Sequence, residues 1–228
     1  MFLIIAIFGY KGINTYSGKQ ASPLIQRKQF GGNTKLYALL TLCVGYLLCW
    51  VGYVQWASTI APYTQDLGVS LRQYSLIWTI NGALIVLGQP LIGKIVKHWV
   101  KTSKLQIIVG TIIFAISFFI LTFAGQFTAF AVAMVIMTIG EMLVWPAVPT
   151  IADQLAPKGR EGFYQGIVNS TATGGRMIGP ILGGILVDYY DMTILFTVII
   201  GLFFLSTITT VIYDRKLKAA NELFAKTS

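Results

Sequence analysis

Two ionisable side chains, Glu141 and Arg176, interrupt long apolar stretches of this sequence. A charge at the centre of a bilayer costs about 2.5–3.5 kcal/mol on insertion scales, so such a group usually faces a partner or a cavity. We interpret Glu141 either as a carboxyl group that takes up and releases a proton, or as a permanently ionised partner of Arg176. At a rise of about 1.5 Å per residue, the two side chains differ in depth by about 5 Å, which an arginine can span if their helices adjoin.

A second set of side chains could contact a small amphiphilic molecule by stacking and hydrogen bonding. The set consists of Tyr53, Gln55, Trp56, Thr59, Asn81, Thr138 and Trp145. Helical spacing of three and four places Thr138, Glu141 and Trp145 on one helix face. Individually, Tyr53 and Trp56 also suit an interfacial aromatic belt, and Asn81 suits a bond to a neighbouring helix. Taken together, the residues favour the wall of a substrate cavity.

Small residues form a regular pattern in one apolar segment. Gly175, Gly179 and Gly183 recur at every fourth position, and Pro180 and Gly184 stand beside them. Three residues without side chains on one helical ridge allow a neighbouring backbone to approach closely. Pro180 removes one backbone hydrogen bond and is expected to bend the helix. The pattern predicts a helix-packing motif.

The residues needed for enzymatic chemistry are missing from the sequence. His98 is the only histidine, no pair of aspartates lies within an apolar segment, and no serine occupies a nucleophile motif. Cys43 and Cys49 share one apolar segment without the spacing of a zinc site, which indicates reduced packing residues. We therefore predict no enzyme, no catalytic residue, no metal site and no cofactor.

The composition indicates a multi-pass membrane protein. Of 228 residues, 55% are hydrophobic and 11% are charged, and the mean hydropathy is +0.71. Soluble domains contain about 25% charged residues. The net charge of +9 is spread over short links between apolar segments. No continuous basic stripe could follow a phosphate backbone, so nucleic acid is excluded as a partner and the lipid bilayer is predicted as the surroundings.

Six apolar segments are each long enough to span a bilayer. They are residues 36–60, 74–96, 105–124, 127–151, 163–187 and 192–213. The pattern Gly88-Gln89-Pro90-Leu91-Ile92-Gly93 is echoed by Gly179-Pro180-Ile181-Leu182-Gly183 three segments later. Because three spans are an odd number, the second copy is inserted upside down. The predicted fold class is an all-α membrane protein, a six-transmembrane-helix bundle made of two inverted three-helix repeats.

Basic residues predict the orientation. Fifteen of the 17 Lys and Arg residues fall on one side of the predicted topology, and the positive-inside rule makes that side cytoplasmic. Both termini are then cytoplasmic, and we expect the protein in the plasma membrane. Residues 1–35 are predicted to be the tail of a preceding helix followed by a basic cytoplasmic linker, residues 36–215 the transmembrane domain, and residues 216–228 a cytoplasmic tail.

Several motifs resemble the C-terminal half of a major facilitator superfamily transporter of the drug:proton antiporter branch. They are Gly140-Glu141-Met142 with Trp145-Pro146, the link Ala156-Pro157 to Arg160-Glu161-Gly162, and Ile178-Gly179-Pro180-Ile181-Leu182-Gly183-Gly184. The resemblance implies that the six segments are spans seven to twelve, and that the first and fourth of them face the central cavity. Two features depart from the family pattern: the loop after Gly93 has no acidic residue, and Arg176 stands where similar sequences have an apolar one.

The resemblance implies a half or truncated secondary active transporter. Its expected activity is proton-coupled multidrug efflux by antiport and alternating access, with a small-molecule substrate and protons as ligands and a second six-helix half as partner. The alternative is a non-transporting membrane fragment or assembly subunit that pairs with other transporter halves.

Overall fold

The computed structural model describes residues 32–215 and residue 217, and within them the chain is helical. The helices are α1 (Gly32–Tyr53), α2 (Gln55–Ser58), α3 (Ile60–Asp66), α4 (Leu71–Trp99), α5 (Ser103–Leu121), α6 (Phe127–Leu155), α7 (Glu161–Tyr189) and α8 (Met192–Ile212). The first three form one span that is interrupted at Val54 and Thr59. The predicted helix tail and most of the linker lie outside the described residues, and the linker's last four residues already belong to α1.

The helix starts follow from short polar side chains in the links. Ser70 and Gln73 form a capping box at α4, in which each side chain bonds the other residue's backbone N–H. Asp191 accepts from the backbone N–H of Ile194 at 2.8 Å and caps α8. Such caps satisfy N–H groups that the first helical turn leaves without partners, so they help to define where α4 and α8 begin.

Five of the described helical segments are long and apolar enough to cross a membrane, namely Thr34–Asp66, Leu71–Val96, Ser103–Leu121, Phe127–Leu155 and Met192–Ile212. Helix α7, the predicted fifth span, has 29 residues but is not among these five. Its glycines and Arg176 lower its hydropathy. Its length still exceeds the roughly 20 residues that a span requires.

The packing follows the predicted inverted repeat. Helix α1 packs on α7 and α8, while α6 packs on α4 and α5. When each of the first three spans is matched to its counterpart among the last three, the contacts of α1 with α7 and α8 correspond to the contacts of α6 with α4 and α5. Helices α5 and α8, the third members of the two repeats, also pack against each other. The predicted bundle of two inverted three-helix repeats is confirmed.

Close backbone approach holds the second repeat to the first. A Cβ atom added to Gly140 would lie 2.6 Å from the Phe114 ring and 2.9 Å from the Gly110 carbonyl oxygen, so α5 and α6 touch there through glycine. Ser117 adds a hydrogen bond from α5 to the Ala133 carbonyl oxygen of α6 at 2.7 Å. Gly140 precedes Glu141, so this contact fixes the depth and rotation of the acidic residue.

Candidate functional site

Glu141 is held inside the bundle by two polar residues. Its side chain is 3% exposed. Asn81 on α4 donates one amide hydrogen bond to Glu141 Oε2 at 3.2 Å and another to Thr138 Oγ1 at 2.9 Å. Asn81 therefore joins α4 to α6, which is one of the two interpretations of Asn81 from the sequence, and it also anchors the carboxyl group of Glu141.

The second carboxyl oxygen has a different environment. Glu141 Oε1 is buried and has no hydrogen-bond partner among the described residues. The phenol of Tyr53 on α1 lies within electrostatic range of the same carboxyl group. A buried carboxyl group with one engaged oxygen and one free oxygen can carry a proton on the free oxygen. Oε1 is thus the carboxyl oxygen that the Asn81 amide does not bond.

An aromatic cluster lies beside Glu141, formed by Tyr46, Trp50, Tyr53, Trp78 and Trp145. The Trp50 and Trp145 rings are stacked, with centroids 4.4 Å apart and planes 13° from parallel. Tyr53 meets both rings edge-on at 5.5 Å. These contacts bring the first and fourth spans together through Tyr53 and Trp145. The stacked indoles present a flat apolar surface.

A cavity of about 340 Å³ opens between α4 and α6. Its wall consists of Ile85, Gln89, Glu141, Met142, Trp145 and Pro146. It therefore places the acidic residue and one indole of the aromatic cluster on the same wall, together with the polar side chain of Gln89. A small amphiphilic molecule needs this combination of apolar surface and a few polar groups.

The expected ion pair between Glu141 and Arg176 is not formed. Among residues 32–215, the single salt bridge joins Lys104 and Asp214. The Arg176 guanidinium carbon instead lies 4.7 Å from the centroid of the Trp50 ring. Arg176 is exposed on α7. The comparison of depths from the sequence gave no information about the direction of the Arg176 side chain. That side chain extends along the aromatic cluster and not toward Glu141.

Gln55, Trp56 and Thr59 do not line the cavity with Glu141, contrary to the sequence interpretation. Gln55 is fully buried and donates to the carbonyl oxygens of Val51 and Gly179, at 2.9 and 2.8 Å. Its Oε1 accepts from the Thr59 hydroxyl at 2.8 Å. The physical reason is helical spacing: Gln55 and Thr59 continue the row of Leu47 and Val51 that faces the glycines of α7. Trp56 is fully buried in the hydrophobic core.

The glycine motif divides into two groups. Gly175, Gly179 and Gly183 form what we call the glycine seam, because they face the first span. A Cβ atom on Gly175 would meet the Leu47 carbonyl oxygen at 2.8 Å, and one on Gly183 would meet Gln55 Oε1 at 2.1 Å. Gly184 has open space around its Cα, and Pro180 is exposed. The last two residues therefore lie on another face of α7.

Sequence reasoning missed Tyr46, Trp50, Trp78 and Gln89. Tyr46, Trp50 and Tyr53 are spaced by four and three residues, so they share a face of α1, and this spacing could have identified them. Gln89 belongs to the Gly88-Gln89-Pro90 motif, which was interpreted only as part of a repeat. Within the described residues, no group of three or more His, Cys, Asp or Glu side chains could hold a metal ion.

Comparison with known families gives one clear match. The Major Facilitator Superfamily model matches residues 11–158 and 42–227. The uncharacterized MFS-type transporter YttB of Bacillus subtilis is 53% identical over 222 residues, which are 97% of this chain and 56% of YttB. The multidrug resistance protein MdtG of Proteus mirabilis is 25% identical over 66% of this chain and 38% of its own length. The chain thus spans about half the length of these relatives.

Solved structures share the fold. A peptide transporter POT in complex with sulfate gives a TM-score of 0.68 at 19% identity, over 78% of this chain and 38% of that chain. A POT family transporter in complex with 5-aminolevulinic acid gives 0.65 at 20% identity, over 80% of this chain and 41% of that chain. In both cases the match covers less than half of the solved chain, as expected for a six-helix bundle that resembles half of a transporter.

Proposed function

Because this chain belongs to the major facilitator superfamily, we propose that it forms one half of a proton-coupled transporter that exports small amphiphilic molecules by alternating access. Membership in this family confirms the predicted class, a membrane transporter and not an enzyme. Proton coupling, the direction of transport and the kind of substrate are the proposal. The distant likeness to a multidrug resistance protein supports export of amphiphilic compounds.

The observation that carries the proposal is the state of Glu141. A static ion pair would place a cation against the carboxyl group, and the described residues place none there. Asn81 and Thr138 hold the side chain, one oxygen stays without a hydrogen bond, and the cavity lies beside it. A carboxyl group that is buried without a counter-charge avoids the cost of desolvation by binding a proton. We therefore assign proton uptake and release to Glu141.

A second six-helix half is the proposed partner. In the apolar window of α4 only 11% of the residues are buried inside the bundle, against 56% in α6. Helix α7 exposes Met177, Ile181 and Ile185 as well as Arg176. Helices α4 and α7 are the second members of the two repeats, so they offer equivalent open faces. A partner half that covers these faces would enclose the cavity beside Glu141.

The test is Glu141→Gln in the protein expressed with all the membrane segments that its gene encodes. Transport into inverted vesicles is measured with three fluorescent probes, anionic fluorescein, neutral Nile red and cationic ethidium. We expect Glu141→Gln to abolish accumulation driven by a pH gradient, because glutamine cannot exchange a proton, while probe exchange at equal pH continues. Glu161→Gln, at an exposed acidic residue in the first turn of α7, is the matched control.

Gradient-driven accumulation at the wild-type rate in Glu141→Gln would remove the assignment of the proton site. If no probe is transported by the wild-type protein while it binds other six-helix halves, the assembly-subunit alternative is correct. Membrane abundance of each variant is measured in parallel, so that a loss of transport is not confused with a loss of protein.

A further inference from the structure

Arg176 is an intramembrane cation that the described part of the protein does not neutralise. It makes no hydrogen bond and no salt bridge among residues 32–215, although the side chain is exposed. Its one close contact is with the Trp50 ring, at 4.7 Å from the guanidinium carbon. An aromatic face attracts a cation through its quadrupole but leaves the N–H donors of the guanidinium free. Arg176 therefore keeps its capacity for bidentate hydrogen bonding.

The surface beside Arg176 is suited to a flat apolar group. Trp50, which Arg176 contacts, stacks on Trp145, and Tyr46 meets both indoles edge-on at 6.2 and 5.6 Å. The Tyr46 phenol is also within electrostatic range of Arg176. Trp145 continues into the wall of the cavity that contains Glu141. The stack therefore connects the Arg176 guanidinium to the cavity wall through Trp145, although neither Arg176 nor Trp50 lines that cavity.

We propose that Arg176 and the Trp50–Trp145 stack bind an organic carboxylate with a planar apolar body. The carboxylate accepts two parallel hydrogen bonds from the guanidinium, and the planar body lies against the indoles. Arg176 is then a specificity-determining residue that selects anionic substrates. This inference rests on the proposed function, because it names the substrate class of the same cavity.

The other intramembrane acid cannot serve as the partner of Arg176 in this arrangement. Glu141 Oε2 is engaged by Asn81, and the carboxyl group lies beyond salt-bridge distance of the guanidinium. Asp153, Asp188 and Asp191 lie at the ends of helices, whereas Arg176 lies in the middle of α7. No acidic residue within the described part of the chain is therefore placed to pair with Arg176.

The test measures binding by calorimetry to the protein purified with all the membrane segments that its gene encodes. The probes are 2-naphthoate, 2-naphthamide and 2-naphthylmethylammonium, which share one ring system and differ in charge. We expect wild-type protein to bind the carboxylate with an affinity about tenfold or more above that for the amide, since bidentate charged hydrogen bonds are strong. Arg176→Gln should abolish this preference and Arg176→Lys should retain part of it.

Arg160→Gln is the matched control, because Arg160 is an exposed arginine just before the same helix, and it should leave the preference unchanged. Equal wild-type affinities for carboxylate and amide, or a carboxylate preference that survives in Arg176→Gln, would overturn the inference. After the second result, a carboxylate of the partner half would be the remaining candidate for pairing with Arg176. Size-exclusion profiles identify variants that fail to fold, and Arg176→Lys then decides the question.

The two proposals fail in different ways. A carboxylate preference that depends on Arg176, together with gradient-driven transport that persists in Glu141→Gln, refutes proton coupling at Glu141 alone. Conversely, transport that requires Glu141 but shows no carboxylate preference refutes the substrate class alone.

Discussion

At the scale of single residues, the two ionisable side chains of the site have different surroundings. Asn81 and Thr138 hold Glu141 in place, whereas Arg176 contacts an indole ring and no acid. Charged groups buried together usually compensate each other, and separating them is costly. Their separation here leaves both groups without a counter-charge among residues 32–215.

This separation predicts independent energetic effects. Glu141→Gln and Arg176→Met should change the thermal stability of the detergent-solubilised protein additively, to within about 0.5 kcal/mol, because the two residues share no contact. Thermal unfolding of the wild-type protein, both single variants and the double variant gives the coupling energy. A coupling above about 1 kcal/mol would show that the two charges interact after all.

The sequence was informative about which residues matter and less so about their neighbours. Glu141, Asn81, Thr138 and Trp145 could be selected because polar and aromatic side chains are unusual inside apolar helices. Helical spacing gives the face on which a residue lies, but it does not identify the helix that packs there. The Glu141–Arg176 pair was wrong for this reason.

At the scale of the elements, the glycine seam determines how closely α7 and the first span approach. Gly175 faces the Leu47 carbonyl oxygen and the Trp50 Cβ atom, which cannot move without moving the backbone of α1. The six spans and their pairing into repeats were predictable from hydropathy, length and charge. The interruption at Val54 was not, because no proline or glycine occupies that position.

We expect Gly175→Ala to destabilise the bundle by about 1–3 kcal/mol, since an added methyl group in a closely packed contact forces the helices apart. Gly184→Ala is the matched control on the same helix, because a Cβ atom there meets nothing within 4 Å. Thermal unfolding in detergent compares the two variants. Equal unfolding midpoints for both would contradict a close contact at Gly175.

At the scale of the whole molecule, the six spans share one orientation across the membrane, which the basic residues predict. Five basic residues lie in the links or nearby helix ends of one side, whereas Arg72 lies at the opposite end of α4 from Lys94. The five are Lys94, Lys101, Lys104, Lys158 and Arg160. The positive-inside rule assigns the first group to the cytoplasm. The contact pattern of the inverted repeat is the same for either orientation of the bundle, so orientation requires a separate measurement.

Labelling with a membrane-impermeant thiol reagent provides that measurement. Leu67→Cys, on an exposed residue between α3 and α4, should react from outside intact cells, and Lys101→Cys should react only after permeabilisation. Cys43 and Cys49 are buried, so the label reports the introduced thiol. The reverse pattern of labelling would invert the topology and place both termini outside.

Lys104 has a mechanical consequence for the bundle. Its ammonium group lies 2.5 Å from Asp214 and donates to the Val211 carbonyl oxygen at 2.8 Å, so the start of α5 is fastened to the end of α8. The positive charge also neutralises the negative end of the α8 dipole. Two rods that are joined at one end cannot slide lengthwise past each other, but they can still splay at the opposite end. We therefore expect the third and sixth spans to keep their relative depth when the other four helices tilt.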